Sequence, residues 1–178
     1  RRHMDGPFCV YFPMCLTHDP WEETPDLKHP GQKTPPGLKY NVEYMDHLVG
    51  RIVDELDALG LRENTFVLFT GDNGTKKAGN GEVTEMGARV PLIISQPGTI
   101  PQDVVSNELV DLTDVLPTLA DWADVPLPAD RVIDGKSLAK TLLGQPGVHR
   151  EWIFSYLSDE RMLRDKRWLL EGNGKFYD

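Results

Sequence analysis

Apolar residues recur at helical spacing between residues 45 and 59, with charged residues on the opposite side of the same segment. This periodicity predicts an amphipathic helix, and Gly60 stands where a left-handed C-cap is expected. The acidic side chains of the polar face are expected to be solvated. The apolar face comprises Met45, Leu48, Val49, Ile52, Val53, Leu56 and Leu59, and the acidic side chains are Asp46, Asp54, Glu55 and Asp57.

Short apolar runs elsewhere predict buried strands. Residues 7–12 (PFCVYF) form the first run, and a proline-rich loop is expected over residues 17–38. Residues 65–70 and 90–95 form two further runs. Because a helix leads into the run at 65–70 through a short loop, the pattern predicts half of a parallel α/β unit.

A further helix is predicted over residues 109–123, with Asp111 or Thr113 as its N-cap. Pro117 does not suit a helix interior, because proline lacks the N–H that the helix needs. The helix therefore either begins near Val115 or is kinked at the proline.

The C-terminal part is predicted to hold a short helix and a pair of strands. Residues 137–143 predict a helix that is closed by Gly144. Residues 152–157 and 162–170 are rich in apolar residues and predict antiparallel strands. The chain does not begin with Met and ends within a predicted strand, so we expect it to be part of a longer chain.

Composition and charge exclude some classes of function for this chain. The 178 residues are 39% hydrophobic and 26% charged, as in a folded globular domain. The formal net charge of −9 argues against a binder of nucleic acid or of anionic membranes, and no apolar run has the length of a membrane span. Cys9 and Cys15 are expected to be free and buried rather than paired in a disulfide.

The turn Gly71–Gly74 follows the apolar run at 65–70, at a strand end where sites form in α/β sheets. Asp72 and Asn73 offer the hard oxygen donors that Ca²⁺ and Mg²⁺ prefer, and the flanking glycines permit close approach. Spacing alone favours a plain turn over a metal site. Because Ca²⁺ takes about six to eight oxygens, a site here would need ligands from elsewhere.

His18 follows the run at 7–12 and is a second candidate. A histidine there can donate to an anionic group or transfer a proton, although its context alone favours a locally hydrogen-bonded loop residue. Nucleophile candidates are weak. Neither cysteine has a neighbouring base in sequence, and the Gly-x-Ser-x-Gly, Walker A and dinucleotide patterns are absent.

Five segments stand out together: PFCVYFPMCLTHDPW, YMDHLVGRIVDELDALGLRENTFVLFTGDNGT, GNGEVTEMGARVPLIISQPG, ELVDLTDVLPTLADWADVPLP and DGKSLAKTLLG. In their order and rough spacing they resemble the C-terminal half of the formylglycine-dependent sulfatases of the alkaline phosphatase superfamily. They cover most of residues 7–144, and the tail from Trp152 resembles the C-terminal strand region of that family. The resemblance implies an α/β, alkaline-phosphatase-like sandwich, present in part. Residues 1–125 would form the C-terminal part of the α/β core, with the corresponding part of the main sheet, and residues 126–178 a small, truncated C-terminal subdomain of antiparallel strands.

The resemblance also implies roles for residues. Asp72 and Asn73 match metal ligands of the family, usually for Ca²⁺ and alternatively for Mg²⁺, and His18 matches the histidine that contacts the sulfate group. Asn80 departs from the family, because it stands where sulfatases carry a catalytic lysine. Asparagine can still donate a hydrogen bond to substrate, and Lys76 or Lys77 is the candidate replacement for the charge.

The nucleophile of the family is a cysteine in a Cys-x-Pro-x-Arg pattern that is oxidised to formylglycine. Neither Cys9 nor Cys15 lies in such a pattern. We therefore expect the formylglycine to belong to an N-terminal part that is missing here, and the chain alone to be inactive towards sulfate esters.

Two alternatives stay open at this point. One is a phosphodiester or phosphonate monoester hydrolase of the same superfamily, and the other is a non-catalytic, degenerate relative, which Asn80 favours. An exposed sheet edge would promote self-association. Analogy with the family implies a periplasmic or secreted location, although no signal peptide is visible in the sequence.

Overall fold

The computed structural model describes residues 6–76 and 79–178. The chain divides into two compact units, of which the first ends at Ile52 and the second is Val53–Asp178. The predicted boundary between residues 125 and 126 stays a prediction. The elements are α1 (Leu38–Ala58), a 3₁₀ helix (Arg62–Asn64), β1 (Val67–Thr70), α2 (Glu85–Ala88), β2 (Leu92–Ser95), a second 3₁₀ helix (Leu112–Asp114), α3 (Val115–Trp122), α4 (Ala139–Leu142), β3 (Ile153–Leu157), β4 (Glu160–Arg164), β5 (Leu169–Glu171) and β6 (Phe176–Tyr177).

Helix α1 confirms the predicted amphipathic helix and ends where the sequence indicates. Gly60 has a φ of 65°, and its N–H donates to the Asp57 carbonyl at 3.0 Å. The N–H of Leu61 donates to the Leu56 carbonyl at 2.8 Å, which completes a Schellman cap. The acidic side chains predicted to be solvated are exposed.

The first apolar run is not the buried strand that its sequence predicts. Residues 7–12 form no regular element, and Val10 and Tyr11 are 74% and 88% exposed. In the described part of the chain no strand pairs with this segment, so its apolar side chains have no sheet to pack against. Cys9 and Cys15 are free, as predicted, but they are exposed rather than buried.

The loop after this run contains no regular strand, as predicted, but it is held by local contacts. Pro25 and Lys33 form an isolated antiparallel bridge. The N–H of Thr34 donates to the Thr24 carbonyl at 2.8 Å. Asn41, at the start of α1, is buried, and its Nδ2 donates to the Glu22 carbonyl at 2.8 Å.

Strands β1 and β2 confirm the two predicted strands, but they pair antiparallel, with Val67 opposite Ser95 and Thr70 opposite Leu92. The predicted half of a parallel α/β unit, which consisted of the helix and β1, named no partner strand, and the partner that β1 has among the described residues is antiparallel to it. A parallel pair needs a crossover, usually a helix. Here the connecting segment is a polar loop with the single turn of α2, and the chain returns along β1 in the opposite direction.

Helix α3 begins at Val115, which decides between the two predicted alternatives. Pro117 then lies in the first turn, where its missing N–H has no helical acceptor. Asp111 caps the preceding 3₁₀ helix: its Oδ1 accepts from the N–H of Thr113 at 2.8 Å, and its own N–H donates to Asp114. The Trp122 ring packs against Phe66, with ring centroids 4.9 Å apart, which places α3 beside the residue preceding β1.

The carboxylate of Asp114 is fully buried and is the centre of a polar network. Its oxygens accept from the Arg150 guanidinium at 2.6–3.0 Å, from the Lys136 N–H at 2.7 Å and from the Asp111 N–H at 2.8 Å. Burial by itself would raise the pKa of Asp114, but these hydrogen bonds outweigh burial and hold the pKa below its ordinary value. The charge is therefore retained inside the fold.

The last four strands form an antiparallel sheet in the order β3-β4-β5-β6. The predicted strand pair is confirmed, but residues 162–170 divide into β4 and β5. The turn between them forms because Asp165 Oδ1 accepts from the Arg167 N–H at 2.7 Å and also from the Trp168 N–H. Helix α4 confirms the predicted short helix, and Gly144 follows it with a φ of 68°.

No helix in the described ranges is both long enough and apolar enough to cross a membrane.

Among the described residues, β1 and β2 form a sheet of two strands. Each strand therefore has an outer edge that no other described strand covers. The expected self-association would use these open edges, and it stays a prediction.

We predict that Asp114→Asn lowers the free energy of unfolding by about 3 kcal/mol or more, because it removes one charge of a buried pair and leaves Arg150 without the carboxylate to which it is hydrogen-bonded. Urea denaturation measures this. The matched control is Asp178→Asn, which removes the partner of Arg167 in an exposed pair and should change stability little. Equal effects of the two variants would contradict the account.

The same pair predicts a pH dependence. Because the pKa of Asp114 is lower in the folded than in the unfolded protein, its stabilising contribution is fully present above the unfolded pKa of about 4 and is lost as the pH falls through the folded value. As the pH is lowered below about 4, the free energy of unfolding should therefore decrease less steeply in Asp114→Asn than in the unaltered chain.

Candidate functional site

The candidate site begins where β1 ends. Strand β1 stops at Thr70, and the N–H of Gly71 donates to the Pro91 carbonyl at 3.3 Å, so the turn leaves the sheet directly beside the start of β2. Asp72 and Asn73 follow, both exposed. The Oδ1 of Asp72 accepts from the N–H of Asn73 at 2.9 Å, which fixes the carboxylate against its own turn. One Asp72 oxygen and the amide oxygen of Asn73 thus lie at the strand end that the sequence singled out.

Asn80 lies next to this turn. Its Nδ2 donates to the Oδ1 of Asn73 at 2.9 Å, and its backbone N–H donates to the Thr75 carbonyl at 3.1 Å. The structure thereby brings together two residues that the sequence selected separately. Lys76 is exposed, and Lys77 lies outside the described residues.

The polar segment between β1 and α2, whose described residues are 71–76 and 79–84, is called the site loop. Two glycines let this loop pack closely on α2. A Cβ on Gly79 would lie 2.1 Å from the carbonyl carbon of Met86, and one on Gly87 would lie 1.9 Å from the Glu82 oxygen. The N–H of Gly74 donates to the Gly87 carbonyl at 3.0 Å. Only glycine permits these approaches, so the segment that carries Asn80 is fixed on the helix by backbone contacts.

The loop also packs on the C-terminal sheet. Val83 is buried with Met162 and Leu169, and its N–H donates to Glu160 Oε2 at 3.3 Å. Glu85 Oε1 and Arg164 Nε form an ion pair at 3.0 Å. Sequence reasoning missed these residues. The available signal was Val83, an apolar residue within a polar segment, but nothing local indicates its partners.

The donor chemistry of Asp72 and Asn73 fits a hard divalent cation, since both present oxygen to solvent. They account for only part of a coordination shell. In residues 6–76 and 79–178 no group of three His, Cys, Asp or Glu side chains is placed to hold a metal ion. These two residues therefore fit a share of a larger site.

His18 belongs to the first unit and is exposed. Its backbone N–H donates to the Cys15 carbonyl at 3.2 Å, and Trp21 Nε1 donates to the Thr17 carbonyl at 3.2 Å, so a local turn holds the segment. This hydrogen bond uses the backbone N–H of His18, and the residue itself is exposed to solvent.

Comparison with known proteins connects this geometry to a family. The family model for sulfatases matches residues 2–125. The chain belongs to the sulfatase family. Human arylsulfatase D is 32% identical over 196 aligned residues, which include 99% of this chain and 32% of that protein. The chain therefore spans about a third of the length of this curated relative.

Solved structures agree with the sulfatase assignment. A sulfatase from Pseudoalteromonas sp. superimposes with a TM-score of 0.68 at 27% identity, covering 81% of this chain and 32% of that one. A phosphonate monoester hydrolase from Silicibacter pomeroyi gives a TM-score of 0.65 at 27% identity, covering 78% and 32%. The expected partial alkaline-phosphatase-like α/β architecture is thus confirmed.

We predict that Gly87→Ala separates the site loop from α2, because the added Cβ cannot be accommodated 1.9 Å from a backbone oxygen. Amide hydrogen exchange at Gly74 and Glu82 should accelerate strongly in the folded chain. Gly50→Ala is the control: a Cβ at Gly50 meets nothing within 4 Å, and alanine favours the helix. Unchanged exchange in Gly87→Ala would show that the contact does not hold the loop.

Proposed function

We propose that this chain supplies part of the metal and sulfate site of a sulfuric ester hydrolase. The observation that carries the proposal is the placement of Asp72, Asn73 and Asn80 together at the end of β1, in a chain of the sulfatase family. Sulfatases act on sulfate esters and in general use a divalent metal and a formylglycine. For this chain Ca²⁺ is the proposed ion, with Mg²⁺ as the alternative.

Each candidate residue has a distinct task in this proposal. Asp72 and Asn73 donate oxygen ligands to the cation, which would stabilise the negative charge that gathers on the sulfate oxygens. His18 binds the sulfate group or protonates the leaving oxygen. Asn80 has two N–H bonds on Nδ2; one is given to Asn73, and the other is available to a sulfate oxygen.

The proposed nucleophile does not come from the described part of this chain. Cys9 is followed by Val-Tyr-Phe and Cys15 by Leu-Thr-His, neither of which resembles the formylglycine pattern. We infer that a hydroxyl of a hydrated formylglycine from outside this chain would lose its proton and form a bond to sulfur, while the bond between sulfur and the ester oxygen would break and the alcohol would leave with a proton.

Calcium binding tests the metal half of the proposal. Isothermal titration calorimetry with CaCl₂ should show saturable binding to this chain that Asp72→Ala abolishes, since the carboxylate is the one charged ligand of the pair. Asp57→Ala removes an equal charge from the exposed face of α1 and should leave binding intact. Binding that survives Asp72→Ala would place the ion elsewhere.

The catalytic half predicts no turnover of an aryl sulfate by this chain alone, because a nucleophile is needed to form the covalent intermediate. A colorimetric assay with a chromogenic aryl sulfate measures this, with an intact sulfatase as positive control. Calcium-dependent turnover that His18→Ala removes would refute the expectation that the chain is incomplete.

A phosphonate monoester hydrolase is the second candidate, because the Silicibacter pomeroyi enzyme superimposes with a TM-score of 0.65, close to the 0.68 of the Pseudoalteromonas sulfatase. The uncharged Asn80 additionally favours a non-catalytic relative, since loss of one preorganised donor costs on the order of 10²- to 10³-fold in rate at comparable sites. Assay of the longer protein with paired sulfate and phosphonate esters separates these possibilities.

A further inference from the structure

Asn73 is an exposed side chain whose usefulness as a ligand depends on its orientation. Its amide carries an oxygen that can bind a cation and an NH₂ group that cannot. Rotation of the side-chain amide by half a turn exchanges the two groups, and this rotation costs little free energy in an exposed asparagine. A fixed donor beside Asn73 would remove this ambiguity.

Asn80 is placed to be that donor. Its Nδ2 lies 2.9 Å from the Oδ1 of Asn73, and the oxygen retains a second lone pair for another partner. The bond is between uncharged groups. A donor without charge orients the oxygen and adds no positive charge that would repel a cation.

The backbone around Asn80 is itself fixed. Gly79 and Gly81 have φ values of 95° and 76°, in the left-handed region that favours glycine. Gly79 is buried against Met86, and the N–H of Asn80 donates to Thr75. The donor therefore comes from a segment that is held at Gly79 and at the N–H of Asn80, which makes it suited to hold a neighbour in place.

We propose that Asn80 is a positioning residue: its side-chain amide orients the Oδ1 of Asn73 towards a divalent cation that Asn73 shares with Asp72. This inference rests on the proposed metal site. It differs from the substrate contact assigned above, because here Asn80 acts on the ligand shell before any sulfate is bound. Residues that orient metal ligands through hydrogen bonds typically change metal affinity by about 10- to 100-fold when removed.

The test is calorimetric titration of this whole chain with CaCl₂, comparing the unaltered sequence with Asn80→Ala and Asn80→Gln. We expect Asn80→Ala to weaken binding about tenfold, and Asn80→Gln, which keeps an amide donor, to lose less. Asn173→Ala is the matched control. The side-chain amide of Asn173 also donates an exposed hydrogen bond, to Glu171 Oε2 at 3.0 Å, but Asn173 lies outside the site loop. This variant should bind normally.

A second readout separates positioning from a general effect on folding. The side-chain ¹H–¹⁵N resonances of Asn73 in metal-free protein should move towards random-coil positions in Asn80→Ala, while the urea midpoint stays unchanged. Equal calcium affinity in Asn80→Ala and the unaltered chain would overturn this inference alone. Absence of any saturable binding by the unaltered chain would overturn the proposal that this chain holds the cation with its own ligands, and this inference with it.

Discussion

The buried ion pair between Asp114 and Arg150 is the interaction on which the arrangement of the second unit depends. A carboxylate that is fully buried needs compensation for its lost hydration, and here two backbone N–H groups and a guanidinium supply it. The donors come from three separate stretches of chain. The pair therefore joins the start of α3, the segment before α4 and the residues that lead into β3.

That junction has consequences for the candidate site. Arg150 lies shortly before β3, so the pair connects the C-terminal sheet to α3. The sheet in turn buries Val83 with Met162 and Leu169 and pairs Arg164 with Glu85. The loop that presents Asn80 to Asn73 thus rests on a sheet formed by the last residues of the chain. The stability of the C-terminal sheet and the geometry of the loop that carries Asn80 are therefore linked through the packing of Val83 on that sheet.

Much of the local structure could be predicted because its causes are local. The later part and the end of α1 follow from side-chain periodicity and Gly60, although the helix already begins at Leu38, before the predicted residues 45–59. The start of α3 follows from the restriction that Pro117 imposes. The direction in which β1 and β2 pair could not be predicted this way, because the same apolar strands serve either direction. Residues 7–12 were predicted wrongly because an apolar run indicates a strand only when a sheet accepts it.

The site was predictable in part for the same reason. Oxygen donors after a strand are visible in sequence, and the family resemblance selected Asp72, Asn73, Asn80 and His18. The bond between Asn80 and Asn73 was not predictable, since the glycine contacts that create it depend on how the loop folds onto α2. Val83 and Arg164 escaped notice because their partners lie far along the chain.

In the proposed metal site, Asp72 and Asn73 present oxygen ligands to a divalent cation at the end of β1. The most direct measurement is a ¹H–¹⁵N NMR titration of this chain with CaCl₂ at physiological ionic strength. The account predicts saturable shifts concentrated at residues 71–74 and 79–81, with α1 unaffected. Shifts confined to the acidic face of α1, or no saturable shift at residues 71–74, would contradict it.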